Sequence, residues 1–221
     1  MLLAIDSATR KIGIALYDGA EVLHEAVWHS ANFHTVELAP AIHNALERAG
    51  IHISDVEVIA LAIGPGSYTG LRIGSAVAKG IALAQHKPLV GVSTFDILAA
   101  AQPAGQERLA VVLEAGRKRL GIGWYRPGEN GWEFDSSDLF TPDEFSKSIN
   151  KPTLVCGEIS AELRQLLGRK RKNVVVASPA ACLRRPAFLA EIAWQRWQEG
   201  DSDDPATLAP QYLQTGENIP A

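Results

Sequence analysis

Val56-Glu-Val-Ile-Ala-Leu-Ala-Ile63, running directly into Gly64-Pro-Gly-Ser-Tyr-Thr-Gly-Leu-Arg-Ile-Gly74, decides how the rest of this chain is read. The first piece is a near-continuous apolar run, the mark of a strand covered on both faces. The second is a Gly/Pro loop that opens a helix expected over Leu71–Gln85, so strand, tight loop and helix follow one another without a linker. Upstream, Leu2–Asp6 reads as a short apolar strand. Lys11–Asp18 alternates through Ile12, Ile14 and Leu16 and ends at the hairpin signal Asp18-Gly19, and Glu21–His29 forms a third strand. Thr35–Ala49 has helical spacing through Leu38, Ile42, Ala45, Leu46 and Ala49 and stops at Gly50. Pro40 predicts that this helix starts near Leu38 or bends there. Downstream come a strand at Leu89–Val92 and a helix at Phe95–Ala101, giving the order βββαβαβα.

The second half repeats that order more faintly. Strands are expected at Leu109–Leu113, Leu120–Tyr125, around Trp132–Phe134, at Thr153–Cys156 and at Val174–Ala177. Helices are expected at Pro142–Ile149 behind a Thr141 cap, at Ser160–Leu167 and at Pro186–Glu199. Two tandem βββαβαβα units imply an α/β chain of two lobes, 1–101 and 102–221, with the boundary at Gln102-Pro-Ala-Gly-Gln106. The polar tail from Asp201 is expected to be tied down by the aromatic of Pro210-Gln-Tyr-Leu213.

Composition narrows the class. Of 221 residues 47% are hydrophobic and 21% charged, enough for one large core or two small ones. No run approaches the roughly 18 apolar residues a membrane span needs. Met1-Leu-Leu-Ala-Ile-Asp6 has no basic stretch and reaches a carboxylate by residue 6, unlike a secretory signal. Cys156 and Cys182 are the two cysteines, far apart and without metal spacing, as expected of ordinary thiols in the cytoplasm. The net charge of −4 argues against a free-standing nucleic-acid binder. Even so, Arg164 to Arg185 holds seven basic and no acidic residues in 22 positions. That run reads either as a solvated face or as a phosphate contact inside a larger assembly, with Arg169, Lys170, Arg171 and Lys172 at its centre.

The candidate chemistry lies in two loops. Gly64, Pro65, Gly66, Ser67, Tyr68, Thr69 and Gly70 could admit an anion at a helix N-terminus, or could simply pack strand against helix; both readings stay open. The loop is neither a Walker sequence nor Gly-x-Gly-x-x-Gly. A nucleophile at Ser67 or Thr69 is weakly supported, since Gly-x-Ser-x-Gly fails at Thr69 and no general base stands out. All six histidines fall within the first 86 residues, and none forms the i, i+4 pair that a helical metal site requires. Asp6-Ser7-Ala-Thr9 resembles the first phosphate loop of actin-like ATPases, but no Gly-rich adenosine loop follows; Glu114-Ala-Gly116 and Gly157 stand in its place.

On a helical wheel at about 100° per residue, Arg72, Ser75, Lys79 and His86 share an arc of roughly 60° and the remainder of Leu71–Gln85 is apolar or small. That predicts either full burial or a second apolar face meeting another protein. The expected interface comprises Leu38, Ile42, Leu46, Ile73, Gly74, Val77, Ala78 and Ile81, with Ala78 as the outward small position.

Together, Ala4-Ile-Asp-Ser-Ala-Thr9, His34-Thr-Val-Glu-Leu-Ala-Pro-Ala-Ile42, the Gly64–Gly74 element, Gly91-Val-Ser-Thr-Phe95 and Pro210-Gln-Tyr-Leu213 resemble the bacterial TsaB family of tRNA threonylcarbamoyladenosine proteins. The resemblance spans essentially the whole chain and is strongest over residues 1–100. Glu114-Ala-Gly116, where the family commonly has Asp-Ala-Arg, and Gln214, where an Arg is usual, depart from it. The resemblance implies an actin-like ATPase (ribonuclease H-like) fold and a subunit without catalytic residues of its own. The catalytic paralogue TsaD binds metal through Gly-Val-Asn-His-x-x-x-His, and alignment on Gly91-Val92 puts Thr94 and Leu98 at the two histidine positions. It further implies pairing with TsaD through the helices of the first lobe, a TsaE-type ATPase as third partner, and tRNA engaged through the complex. ATP or ADP and a metal ion are then expected on the partners and none on this chain, which is expected to homodimerise when alone. Competing readings are an actin-like phosphotransferase of the sugar-kinase kind and a metallopeptidase.

Overall fold

The computed structural model describes residues 1–30, 34–129, 131–169 and 172–213. The described residues divide into two compact units, one within residues 1–97 with 184–211 and the other within 98–183 with 212–213.

In the first unit β1 (Leu2–Asp6), β2 (Lys11–Tyr17) and β3 (Val22–His29) form an antiparallel meander, and β4 (Val58–Gly64) and β5 (Leu89–Ser93) add in parallel on the other side of β1. The order is β3-β2-β1-β4-β5. β1 and β4 are fully buried along their length, as their unbroken apolar runs require. One face of the sheet packs on α1 (His34–Ala49) and α2 (Tyr68–Gln85), through Leu38, Ile42, Ala45, Leu46, Ala78 and Ala82. α1 begins at His34, before the expected start, and carries Pro40 inside it at its seventh residue. β5 leads into α3 (Thr94–Ala100).

The second unit contains β6 (Arg108–Glu114), β7 (Leu120–Gly128), β8 (Gly131–Phe140), α4 (Pro142–Ser148), β9 (Thr153–Gly157), α5 (Ala161–Gly168) and β10 (Val174–Val176). Its sheet order, β10-β9-β6-β7-β8, is the first sheet's order with each strand replaced by its counterpart. α4 starts at the expected Thr141, whose hydroxyl accepts from the Glu144 N–H while the Glu144 carboxylate takes the Thr141 N–H at 2.7 Å. β8 runs ten residues, well past the expected Trp132–Phe134, because it is an exposed edge strand whose polar residues hide the period-2 pattern.

The last helix corrects the expected division of the chain. α6 (Pro186–Gln198) belongs to the first unit, where Leu189, Ala190 and Ala193 cover the sheet face opposite α1 and α2. The following strap is held by the Asp203 N–H on the Leu89 carbonyl, 2.7 Å, and by the Gln211 N–H on the Ile63 carbonyl, 2.7 Å. Backbone pairing thus ties down the strap; Tyr212 is 43% exposed.

Both cysteines are free and buried. Burial pushes the Cys156 thiol well above its ordinary range, and nearby Cys182 adds to the shift. Iodoacetamide at pH 8 should therefore leave Cys156 unmodified in the native protein and alkylate it only after denaturation, as read by peptide mass spectrometry. Stoichiometric native labelling would contradict this packing.

Candidate functional site

The two candidate loops come together at the carboxyl ends of β1 and β4, where open α/β sheets commonly bind ligands. The residues there bind one another instead. The Ser67 N–H donates to the Ala8 carbonyl at 2.6 Å, and the Ser7 hydroxyl donates to the Gly70 carbonyl at 2.8 Å. Ser67 caps α2, its hydroxyl accepting from the Gly70 N–H at 3.3 Å. The glycines permit this approach. A Cβ at Gly66 would lie 2.1 Å from the Ala8 carbonyl oxygen, and one at Gly70 would lie 2.2 Å from that of Ser7. Such distances are incompatible with any side chain, so the loop reads as a packing device for the β1 turn. The peptide bond between Gly64 and Pro65 is cis. Thr69 and Tyr68 are exposed, and the Tyr68 hydroxyl accepts from Arg72 one turn along.

Asp6, Ser7 and Thr9 are all buried. Asp6 forms an ion pair with Arg184, and both side chains are 2% exposed. The same guanidinium donates to the Thr9 hydroxyl at 3.1 Å and to the Lys11 carbonyl at 3.1 Å. The other Asp6 oxygen accepts from the Ala8 N–H at 3.0 Å. A metal–nucleotide at this loop would need the Asp6 carboxylate directed at the metal's water shell. Here that carboxylate is matched by a guanidinium of the chain itself, so the residues present do not fit the group. The sequence signal that could have found Arg184 was weak, because Asp6 and Arg184 stand 178 positions apart.

Thr94 and Leu98 are both buried, and the Thr94 hydroxyl has no hydrogen-bond partner among the described residues. Neither side chain can replace an imidazole as a ligand.

The expected interface needs correction. Leu38, Ile42, Leu46, Gly74 and Ala78 face the core, and Gly74 lies directly against Ser7. Ile73, Val77 and Ile81 are half-buried. The wheel misplaced the water-facing side of α2, because Ser75 turns inward and the centre of the outer face is Arg72, Ala76, Gly80 and Leu83. That outer face is nonetheless poor in charge, with Leu83 61% exposed, and on the adjacent α1 Val36 is 64% exposed.

The basic run also divides. Arg184 is the buried partner of Asp6, Arg185 pairs with Glu25 at 2.6 Å, and Arg164 donates to the Ala177 carbonyl at 2.9 Å. Arg169 and Lys172 are exposed, while Lys170 and Arg171 lie outside the described residues.

Two mixed five-stranded sheets of identical order, with α1 and α2 on one face of the first and α6 on the other, define a tandem actin-like ATPase (ribonuclease H-like) fold whose first phosphate-type loop is closed by its own side chains. The family model for tRNA N6-adenosine threonylcarbamoyltransferase, TsaD, matches residues 24–133. The tRNA threonylcarbamoyladenosine biosynthesis protein TsaB of Escherichia coli (strain K12) is 36% identical, covering 96% of this chain and 94% of that protein. The protein of the same description in Bacillus subtilis (strain 168) is 29% identical, covering 98% and 95%. Among solved structures, YeaZ from Pseudomonas aeruginosa has the same fold, with a TM-score of 0.78 at 24% identity, covering 96% of this chain and 99% of that one. This chain belongs to the TsaB family.

Breaking the Asp6–Arg184 pair on one side should destabilise the first unit. Arg184→Met alone leaves a buried carboxylate uncompensated and should cost about 3–5 kcal/mol. Combining it with Asp6→Leu should cost clearly less than the two single changes added together, by urea titration of all three variants. Additive losses, or single losses below about 1 kcal/mol, would show that the pair is not coupled.

Proposed function

We propose that this chain is a non-catalytic subunit of the assembly that installs threonylcarbamoyl on the adenosine beside the anticodon of tRNAs reading codons that begin with A. The observation that carries the reading is the 36% identity to a TsaB over nearly the full length of both chains. The internal structure supports it. Thr94 and Leu98, which alignment on Gly91-Val92 sets against the paralogue's metal-binding histidines, are buried, and Asp6 is paired with Arg184.

The partner is a TsaD-type catalytic paralogue, and the contact surface is the outer face of α2 with the neighbouring part of α1. Ala76, Gly80, Leu83 and Ala84 present small or apolar surface to water, flanked by half-buried Ile73 and Val77 and, on α1, by Val36. An exposed face of this kind on a helix whose other side is in the core marks a binding surface. A paralogue with equivalent helices would cover it, and a second copy of this chain would do so when no paralogue is present. A TsaE-type ATPase joins the pair, nucleotide and metal reside on the partners, and the assembly works in the cytoplasm. Among the described residues no helix is long and apolar enough to cross a membrane.

Gly80 gives the cleanest test, because a Cβ there meets nothing within 4 Å. Gly80→Glu removes a mid-helix glycine and should hold or raise the thermal midpoint, by up to about 1 kcal/mol of stability. It should also abolish co-elution with the catalytic subunit, because a charge would be buried in the contact. Undiminished pairing would refute the surface. Ala78→Glu would not serve, since Ala78 is fully buried and the change would unfold the unit.

Calorimetric titration of the lone chain with Mg-ADP and Mg-ATP should give no heat of specific binding. Saturable binding at micromolar nucleotide would show that Arg184 yields Asp6 to a ligand.

A further inference from the structure

We propose that the tip of the β6–β7 hairpin, Arg117-Lys118-Arg119, is a contact for the RNA sugar-phosphate backbone. The proposal deepens the reading above by naming a surface of this chain that meets the tRNA.

The tip is built at some conformational expense. Gly116, Arg117 and Lys118 have φ of 69°, 46° and 60°, three successive residues in the left-handed region. Glycine enters it freely, whereas Arg and Lys carry a Cβ that opposes it. Hairpin tips selected only for stability place Asn, Asp or Gly at such positions. Here the two strained positions hold cations. Strain that the surrounding structure enforces is commonly kept where a side chain must be presented in a fixed direction.

The surroundings do enforce it. Leu113 and Leu120, flanking the tip, are 1% and 7% exposed, and Glu114 pairs with Leu120 at the last rung. The Ala115 N–H donates to the Arg119 carbonyl at 2.9 Å, and the Arg119 N–H to that of Gly116 at 2.8 Å. The loop is thus held before any ligand arrives, which lowers the ordering entropy that binding must meet.

Its charge is not spent internally. Arg117, Lys118 and Arg119 are exposed, and among the described residues neither Arg117 nor Lys118 enters an ion pair. Two of the surrounding carboxylates are otherwise engaged, while that of Glu114 is exposed at the base of the hairpin. Glu144 closes the α4 capping box and is further held low in pKa by Arg119, and Glu158 accepts from the Glu114 N–H at 3.0 Å. By contrast, three cations of the longer run 164–185 serve the fold. Two unpaired cations at a rigid tip complement a row of phosphates, and hydrogen bonds and charge directed at the backbone give position without sequence preference.

The strain supplies a test that separates function from folding. In Arg117→Asn/Lys118→Gly the new residues suit the left-handed region, so the thermal midpoint should stay the same or rise. The affinity of the complex with the catalytic subunit for an unmodified tRNA transcript reading an A-starting codon should fall roughly ten-fold near 0.1 M salt. The slope of log affinity against log salt should become shallower by about 1.4 to 1.8, the value for two lost phosphate contacts. The charge-keeping exchange Arg117→Lys/Lys118→Arg should retain affinity and slope. Unchanged tRNA affinity and slope in the neutral variant would overturn the proposal. So would a loss confined to anionic phosphatidylserine vesicles or to pairing with the catalytic subunit. The wild-type complex is measured first. If it forms no threonylcarbamoyladenosine, the functional reading itself fails, whereas wild-type activity with an indifferent hairpin variant rejects the hairpin alone.

Discussion

The buried pair between Asp6 and Arg184 is the constraint on which the first unit turns. It joins the end of the central strand β1 to the residue that opens the approach to α6, and it does so with both groups 2% exposed. Two charges removed from water are tolerated only when geometry and extra hydrogen bonds make good the lost hydration. Thr9 and the Lys11 carbonyl complete the guanidinium, and the Ala8 N–H completes the carboxylate. With Arg184 so fixed, Pro186 starts α6 at the right place for Leu189, Ala190 and Ala193 to cover the second face of the sheet. The same commitment takes from Asp6 the role it would have in a nucleotide site.

The glycine loop follows the same logic. Its conformational freedom is spent on bringing α2 against the β1 turn, with Gly66 over Ala8 and Gly70 over Ser7. Because the loop holds the start of α2 so close to the sheet, the outer face of that helix is left as the unit's exposed small-residue surface. Apart from Arg72 that face carries little charge, which suits it to the protein partner proposed above.

Much of this was legible in the sequence, and the failures are physical. Strands β1, β2, β4 and β5 could be read because their period and their glycine boundaries are local properties, and the repeated element order gave the tandem fold. The assignment of α6 failed because which sheet a helix covers is decided by distant contacts; its own residues look alike from either side. Ala78 was placed outward because a wheel gives angles between side chains but not the direction of the core, and Ser75 turned inward against its polarity. The Arg184 contact with Asp6 spans 178 positions and leaves no local trace. The hairpin cations escaped notice because counting charge favoured the longer run, much of which is engaged in the fold.

The central claim is that this chain acts by enabling a catalytic paralogue while supplying no reactive group. The direct measurement is a reconstitution from purified TsaD-type and TsaE-type subunits, a threonylcarbamoyl donor and unmodified tRNA, with threonylcarbamoyladenosine quantified by mass spectrometry as this chain is titrated in. The account predicts product that rises with this chain to a plateau near equimolar with the catalytic subunit, and none from this chain alone. Equal product without it, or turnover by it in isolation, would contradict the account.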